Sequence, residues 1–311
     1  MSTKSIAAVL FSLIFISLFI YGIYWLWQRQ PKDIKEQPSQ TQNSQVQNPN
    51  TDNAKVQTNF KPQDSSVLTS AKVSFTGTVA PNAIAVIYSN SFQATTKSDA
   101  QGNFQKDATL STGLNLFNIS IFSQNLDELD KKTLTLYLAK DKETVGNSVF
   151  AGNVKSIFNN LITLGTAGGD KMVNAQKSTD FTFPKIAGGN SEATTSAISN
   201  VRVGDYIVAL GNAAEKDTIT AQKITVIREN KPQNSESINV IKLLTAPRLN
   251  IFSAKNEKDS KIIEFTLNKN SAVEVNGQAA KNADIAKDKR AIVVSYFSNG
   301  DQLVDLIYIL P

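Results

Sequence analysis

The hydrophobic pattern changes character twice along the chain. From Ser5 to Gln28 the sequence SIAAVLFSLIFISLFIYGIYWLWQ carries no charge, and its apolar stretch, Ile6 to Trp27, is 22 residues long. At about 1.5 Å rise per residue, a helix of that length spans roughly 33 Å, enough to cross a hydrocarbon core of about 30 Å. The pattern predicts an N-terminal tail and transmembrane helix within residues 1–28. Tyr21, Tyr24, Trp25 and Trp27 cluster at its C-terminal end, where aromatic side chains meet lipid headgroups, and they are the expected membrane-interface anchors. Both tryptophans of the chain lie in this stretch. A cleaved signal peptide would have a shorter apolar region and an A-x-A-like site, which YWLWQRQ does not offer.

The second change follows at once. Residues 28–64 contain nine Gln, five Asn and four Pro, with only Ile34, Val46, Ala54, Val56 and Phe60 apolar. Such a stretch buries too little apolar surface to offset its ordering entropy. It predicts a disordered tether over residues 29–66, with an r.m.s. span on the order of 35 Å. Pro31, Pro38, Pro49 and Pro62 oppose the cross-β stacking that a Gln/Asn-rich segment could otherwise support. A Lys/Arg count alone favours a cytoplasmic C-terminal side, with Arg29, Lys32 and Lys35 there against Lys4. The short N-terminal tail, the polar tether and the β-rich remainder favour the opposite topology. The expectation is a single-pass protein with its N-terminus in the cytoplasm and the bulk of the chain extracytoplasmic.

Beyond the tether, short runs alternate with period two, the mark of strands with one buried face. They are Val73 to Val79, Ile84 to Tyr88, Phe104 to Leu110, Leu114 to Phe122 and Lys131 to Leu138, separated by Gly-, Pro-, Asn- and Asp-bearing turns. Strands about ten residues apart predict a β-sandwich over residues 67–142. The order GTVAPNAIAVIYSN, then TTKSDAQGNFQKDATLSTGLNLFNISIF, resembles the bacterial Ig-like modules of surface and carbohydrate-active proteins, including the accessory domain of glucodextranase. Gly77 and Pro81 match its first hairpin, and Asp99, Gly102 and Phe104 its D-x-x-G-x-F turn. The resemblance implies an Ig-like fold far more than a function, since such modules serve as spacers, adhesins and sugar-binding accessories. Asp99 and Asp107 flank Gly102, but an EF-hand needs ligands at fixed odd positions and a terminal Glu. A plain hairpin turn is expected. Asp127, Glu128 and Asp130 form an acidic cluster followed at once by Lys131 and Lys132, which reads as a solvated loop.

The remaining chain contains two related stretches, residues 147–230 and 237–311. Asn153-Val154, LITL at 161–164 and VGDYIVALGNAAEKDTITAQKITVI at 203–227 correspond to Asn239-Val240, LNIF at 249–252 and KDKRAIVVSYFSNGDQLVDLIYIL at 287–310. Ile207 is matched with Ile292, Ile219 with Leu303 and Ile224 with Ile307. So long a period means duplicated domains rather than a solenoid. The first copy resembles a widespread bacterial domain of unknown function through Gly152, Val154, Ser156, Ile157, Leu161, Leu164, Thr179, Phe181, Val203-Gly204-Asp205-Tyr206 and Ala221 to Ile224. The second copy replaces the Val-Gly-Asp turn with Ala286-Lys287-Asp288-Lys289. Each copy predicts a small β-barrel of the OB or SH3-like type, so the fold class is all-β throughout the body. OB-type sites use exposed aromatics and a basic groove. Phe158, Phe181, Phe183, Tyr206 and Phe252 fall mostly at alternating strand positions, for which core packing is the simpler reading. Gly204-Asp205 reads as a turn, with Asp accepting a backbone hydrogen bond.

Composition narrows the chemistry. The chain has no His and no Cys. That removes His-dependent triads, thiolate nucleophiles, disulfides and Cys-based metal sites. The net charge of +5 divides into +2 over residues 1–70 and +1 in each of 71–142, 143–231 and 232–311. No segment has the concentrated basic face of a nucleic-acid binder. Lys287-Asp288-Lys289-Arg290, the densest basic run, contains an acid and reads as a solvated face. No catalytic residue, cofactor or metal ligand is assigned, and no nucleic-acid partner is expected. The expected role is binding, adhesion or structural scaffolding at the cell envelope. Its partners would be the lipid bilayer, through the N-terminal helix, and envelope polysaccharide or envelope proteins. The alternatives are an accessory subunit of an envelope assembly or secretion machine, and a carboxylate-dependent polysaccharide-active enzyme.

Overall fold

A computed structural model describes residues 60–140, 143, 145–184, 198–229 and 235–310. All regular structure in them is β, apart from two short 3-10 turns at Ile198–Asn200 and Asn282–Asp284. Among the described residues no helix is long and apolar enough to cross a membrane. The expected membrane helix, its anchors Tyr21, Tyr24, Trp25 and Trp27, and the tether as far as residue 59 lie outside the described residues.

The first seven strands form a β-sandwich. They are β1 (Ser66–Leu68), β2 (Lys72–Thr78), β3 (Ile84–Ser89), β4 (Phe92–Lys97), β5 (Asn103–Thr109), β6 (Gly113–Phe122) and β7 (Glu128–Leu138). One sheet runs β1-β7-β6-β3-β4, with β1 parallel to β7, and the other is the pair β2-β5. Period-two alternation places Phe75, Phe104 and Ala108 of the small sheet against Ile87, Phe117, Ile119, Leu134 and Leu136 of the large one. The Phe75 and Phe117 rings pack at 4.8 Å between centroids. The sandwich also takes in residues that the polar composition assigned to the tether. Phe60 is buried in this core with its ring 5.9 Å from Phe104, and Lys61 bridges to Thr76. The apolar side chain that looked isolated in a Gln/Asn-rich stretch is a core residue. The sequence pattern also passed over β1 and β4, because three residues and a polar FQATTK run carry little periodicity.

The next strands close into a five-stranded barrel. They are β8 (Ser148–Phe158), β9 (Leu161–Thr166), β10 (Gly169–Thr182), β11 (Tyr206–Glu215) and β12 (Thr218–Ile227). Their order is β8-β9-β10-β12-β11, with β11 returning to β8 and β10 parallel to β12. The last strands repeat this circuit: β13 (Glu236–Leu243), β14 (Ile251–Asn256), β15 (Ile262–Val275), a short β16 (Gln278–Ala279), β17 (Arg290–Ser298) and β18 (Asp301–Ile309). Here β13-β14-β15-β18-β17 closes by pairing of β13 with β17, and β15 is parallel to β18.

The duplication reaches individual hydrogen bonds. In the first barrel the β10–β12 register shifts between Ala175 and Asp180. Thr179 Oγ1 fills that bulge, accepting from Gln176 N at 2.7 Å and donating to Ala221 O at 2.7 Å. In the second barrel the shift falls between Leu267 and Ala272. Ser271 Oγ accepts from Asn268 N at 2.8 Å and donates to Val304 O at 2.6 Å. These ladders set the residue correspondence. Phe181 pairs with Ile224 as Val273 pairs with Ile307, which upholds the match of Ile224 with Ile307. The other two matches are off by one residue. Ala209 lies opposite Ile224 as Val293 lies opposite Ile307, so Ile207 corresponds to Ala291 and not Ile292. Ala221 corresponds to Val304, so Ile219 corresponds to Gln302 and not Leu303. A one-residue slip exchanges the faces of a strand.

All described residues fall in one compact unit, because both barrels pack against the sandwich through outward faces that are themselves apolar. Ile84, Val86, Tyr88, Phe122 and Leu126 of the sandwich bury against Ile292, Val294, Leu306 and Tyr308 of the second barrel. Polar contacts rim this face: Thr95 donates to Glu274, and Arg290 Nη1 donates to Asn125 O at 2.8 Å while its guanidinium grips Glu257.

Candidate functional site

The first barrel joins the sandwich differently. Strand β1 pairs with β7 on one side and meets β8 at Ser66 and Ser148 on the other, so the large sheet runs on into the barrel wall. Behind this seam lies a second apolar contact: Val145, Val149, Ala151, Val208 and Leu210, with Val67, Leu114 and Tyr137 packed on them. Glu143 locks it from outside. It receives Lys223 Nζ at 2.7 Å, Tyr137 Oη at 3.3 Å and the Lys140 amide at 3.1 Å. Burial pushes its carboxyl up, but these donors outweigh burial and hold it below its ordinary value.

Where the seam opens, a cleft of about 340 Å³ separates the outer face of β6 and β7 from β8, β9 and β11. Its polar lining is Asn118, Thr133 and Thr135 from the sandwich and Asn153, Thr166 and Tyr206 from the barrel; the rest is aliphatic or glycine, with no charged side chain. Asn118 and Thr133 are cross-strand partners on β6 and β7, and the Thr133 hydroxyl donates to Asn118 Oδ1 at 2.8 Å. Tyr206 pairs with Asn153 at the edge where β11 meets β8. Its ring belongs to the apolar seam and the residue is only 7% exposed. Burial pushes its phenol up to about 12, so it stays a neutral donor at any physiological pH. Its hydroxyl has no hydrogen-bond partner among the described residues. Gly152 lets the barrel wall close up here, since a Cβ at that position would stand 2.4 Å from Gly165 O.

The other sequence candidates resolve into structural roles. Gly204 adopts φ 90°, and Asp205 Oδ2 accepts from Arg202 N at 2.9 Å, as the turn reading expects. Burial pushes the Asp205 carboxyl up, but Arg228, reaching it at 3.0 Å, and the Arg202 amide bring it below its ordinary value. Asp99 Oδ1 accepts the amides of Gln101 at 2.9 Å and Asn103 at 2.8 Å, so its oxygens cap a hairpin turn. Asp127 Oδ2 accepts from the Ser123 hydroxyl at 3.3 Å within its own loop. Lys287 and Lys289 stand exposed on a loop, while Arg290 is committed to Glu257. Phe181 and Phe183 stack on each other at the margin of the first barrel core, and Phe252 is buried in the second. Phe158 departs from the packing expectation, being 75% exposed. Among the described residues no three acidic side chains group so as to hold a metal ion.

Asn118, Thr133 and Thr135 attracted no attention in the sequence, yet a signal was present. Gly113 to Phe122 carries no charge on either face. A sandwich strand with an uncharged outer face is a strand covered by something, and here the cover is the first barrel.

No family model and no curated protein matches the chain. Two solved structures align with it over most of their length. Drosophila Unr CSD456 aligns at 11% identity over 74% of this chain and 97% of its own, with a TM-score of 0.22. A 1.5-MDa bacterial ice-binding adhesin, described for host cell surface retention, aligns at 11% identity over 82% of this chain and 96% of its own, with a TM-score of 0.19.

Proposed function

We propose that this chain is a single-pass, membrane-anchored extracytoplasmic protein with a binding, adhesion or scaffold role at the cell envelope. Residues 6–27 supply the span, with Tyr21, Tyr24, Trp25 and Trp27 at its outer interface, and the polar stretch that follows holds the body away from the bilayer. Ligands would be envelope polysaccharide or envelope proteins. The observation that carries the reading is the double welding of the sandwich. Domains in one chain move freely unless a large apolar interface joins them. Here the sandwich is bound through one buried apolar face to each barrel. Such a body presents fixed surfaces and fixed clefts at the end of a tether, which suits recognition. The strand order β1-β7-β6-β3-β4 opposite β2-β5, two packed sheets of seven strands, supports the Ig-like assignment of the sandwich. The circuit shared by the two barrels supports the OB-type assignment over the SH3-like one.

The test is retention. Full-length protein in lipid nanodiscs, immobilised through its N-terminus, is passed over solubilised envelope polysaccharide and envelope proteins. The proposal expects saturable retention that empty nanodiscs do not give. If neither fraction is retained above that background, the binding role is wrong.

A further inference from the structure

We infer that the cleft between the sandwich and the first barrel is a saccharide-binding site, taking one or two uncharged sugar units of a longer chain. The inference rests on the binding reading above and names its ligand class.

Three observations converge on it. The cleft presents a donor that has no protein partner. Tyr206 is more than nine-tenths buried, it stays protonated, and its hydroxyl faces the cleft with no protein partner. Water entering the cleft supplies the hydrogen bond it lacks, and a ligand hydroxyl can take that water's place. The neighbouring groups are bifunctional in the way a sugar diol requires. Thr133 donates to Asn118 Oδ1, which leaves the Asn118 amide nitrogen to donate and the Thr133 oxygen to accept. Adjacent hydroxyls of a pyranose each donate and accept, so they complement this alternation. The cleft lining is also uncharged, and the neighbouring Lys155 and Asp64 are occupied. Lys155 holds both carboxylate oxygens of Asp170, at 2.7 and 2.9 Å. Asp64 accepts from the Thr135 amide at 2.8 Å and from the Ser65 hydroxyl at 3.1 Å. A phosphorylated or uronic ligand would find no cation in the lining itself.

The volume agrees. About 340 Å³ lies at the small end of ligand pockets, which run from about 300 to 1,000 Å³. A peptide is the rival occupant. Extended peptides bind by adding to a free strand edge. Strand β9 is paired on both sides, but β1 covers β7 only at Leu136–Leu138 and β9 covers β8 only over Asn153–Phe158, so the experiment must separate the two occupants. The saccharide is favoured by the lining, whose hydroxyl and amide side chains come from both walls of the cleft.

The experiment uses full-length protein in nanodiscs with labelled threonine methyl groups. Neutral gluco- and N-acetylhexosamine oligosaccharides, an anionic uronic oligosaccharide and an unrelated soluble peptide are titrated separately. The expected result is that a neutral oligosaccharide shifts the Thr133, Thr135 and Thr166 methyl signals and leaves Thr245 in place. Tyr206→Phe, which keeps the ring in the seam, and Asn118→Ala should each weaken that binding about three- to tenfold, with melting temperatures within a few degrees of the parent. If a neutral saccharide binds but neither variant weakens it, the cleft assignment is overturned while the binding reading stands. Shifts produced by the peptide or the uronic probe alone overturn the ligand class. If no probe moves these methyl signals although envelope polysaccharide is retained by the protein, the site is elsewhere and the inference fails.

Discussion

The paired bulges of the two barrels allow a controlled comparison within one molecule. Thr179→Val keeps the shape of the side chain and removes its hydroxyl. Two backbone groups then lose their partner, Gln176 N and Ala221 O, at a residue that is only 4% exposed. Water cannot readily replace the hydroxyl. Each buried group left unsatisfied costs about 1–3 kcal/mol, so the pair should cost about 3 kcal/mol. In a body of this size 1 kcal/mol lowers Tm by roughly 2–4 °C, which gives a fall of roughly 6–12 °C. Ser271→Ala removes the equivalent bonds to Asn268 N and Val304 O, but its site is only half-buried. Water reaches it, and Val304 O keeps a second donor, Asn268 Nδ2 at 3.2 Å. The expected cost there is about 1 kcal/mol. Urea unfolding followed by circular dichroism measures both variants against the parent, with an unchanged m-value as the check that only stability has moved. Equal losses, or a larger loss for Ser271→Ala, would show that solvent access does not govern the cost of opening these bulges.

Two further outcomes follow from buried polar groups near the second weld. Tyr88 is fully buried there and its hydroxyl has no partner, so Tyr88→Phe should raise stability by about 1 kcal/mol; a lower unfolding midpoint would refute this. Burial pushes the Asp305 carboxyl from 3.8 up to about 6. Its contribution is therefore fully present below about pH 4, fades as pH rises to about 6, and is absent above that. Asp305→Asn should melt higher than the parent above pH 6 and converge with it below pH 4, and parallel melting curves across that range would contradict the assignment.

Much of the fold was legible in the sequence because its physical causes are local. Alternation in Val73 to Val79 and in Phe104 to Leu110 reports strands with one buried face, and those strands are present. The duplication was legible too, but its register was not. Ala291, Ile292, Val293 and Val294 are all fully buried, with Ala291 and Val293 facing the barrel interior and Ile292 and Val294 the sandwich. A strand apolar on both faces gives no sign of which residue points inward. The bulges at Leu210/Gly211 and Val294/Ser295 are equivalent, but a second one at Ala213/Glu215 in the first copy alone shifts the count between copies by one. Matching Ile207 to Ile292 by residue type followed chemistry across a face change. The cleft was hidden for a related reason. Its residues come from β6, β7, β8, β9 and β11, and only the docking of two modules brings them together. Tyr206 looked like ordinary core because its ring is core; only its hydroxyl is not.

The proposed function puts the whole β body outside the cytoplasmic membrane, on the far side of a span at residues 6–27. Protease treatment of intact cells expressing the chain with a different epitope tag at each end tests this most directly. The account predicts that the C-terminal tag is lost while the N-terminal tag survives until the cells are lysed. A C-terminal tag that stays protected on intact cells and is digested only after lysis would contradict it.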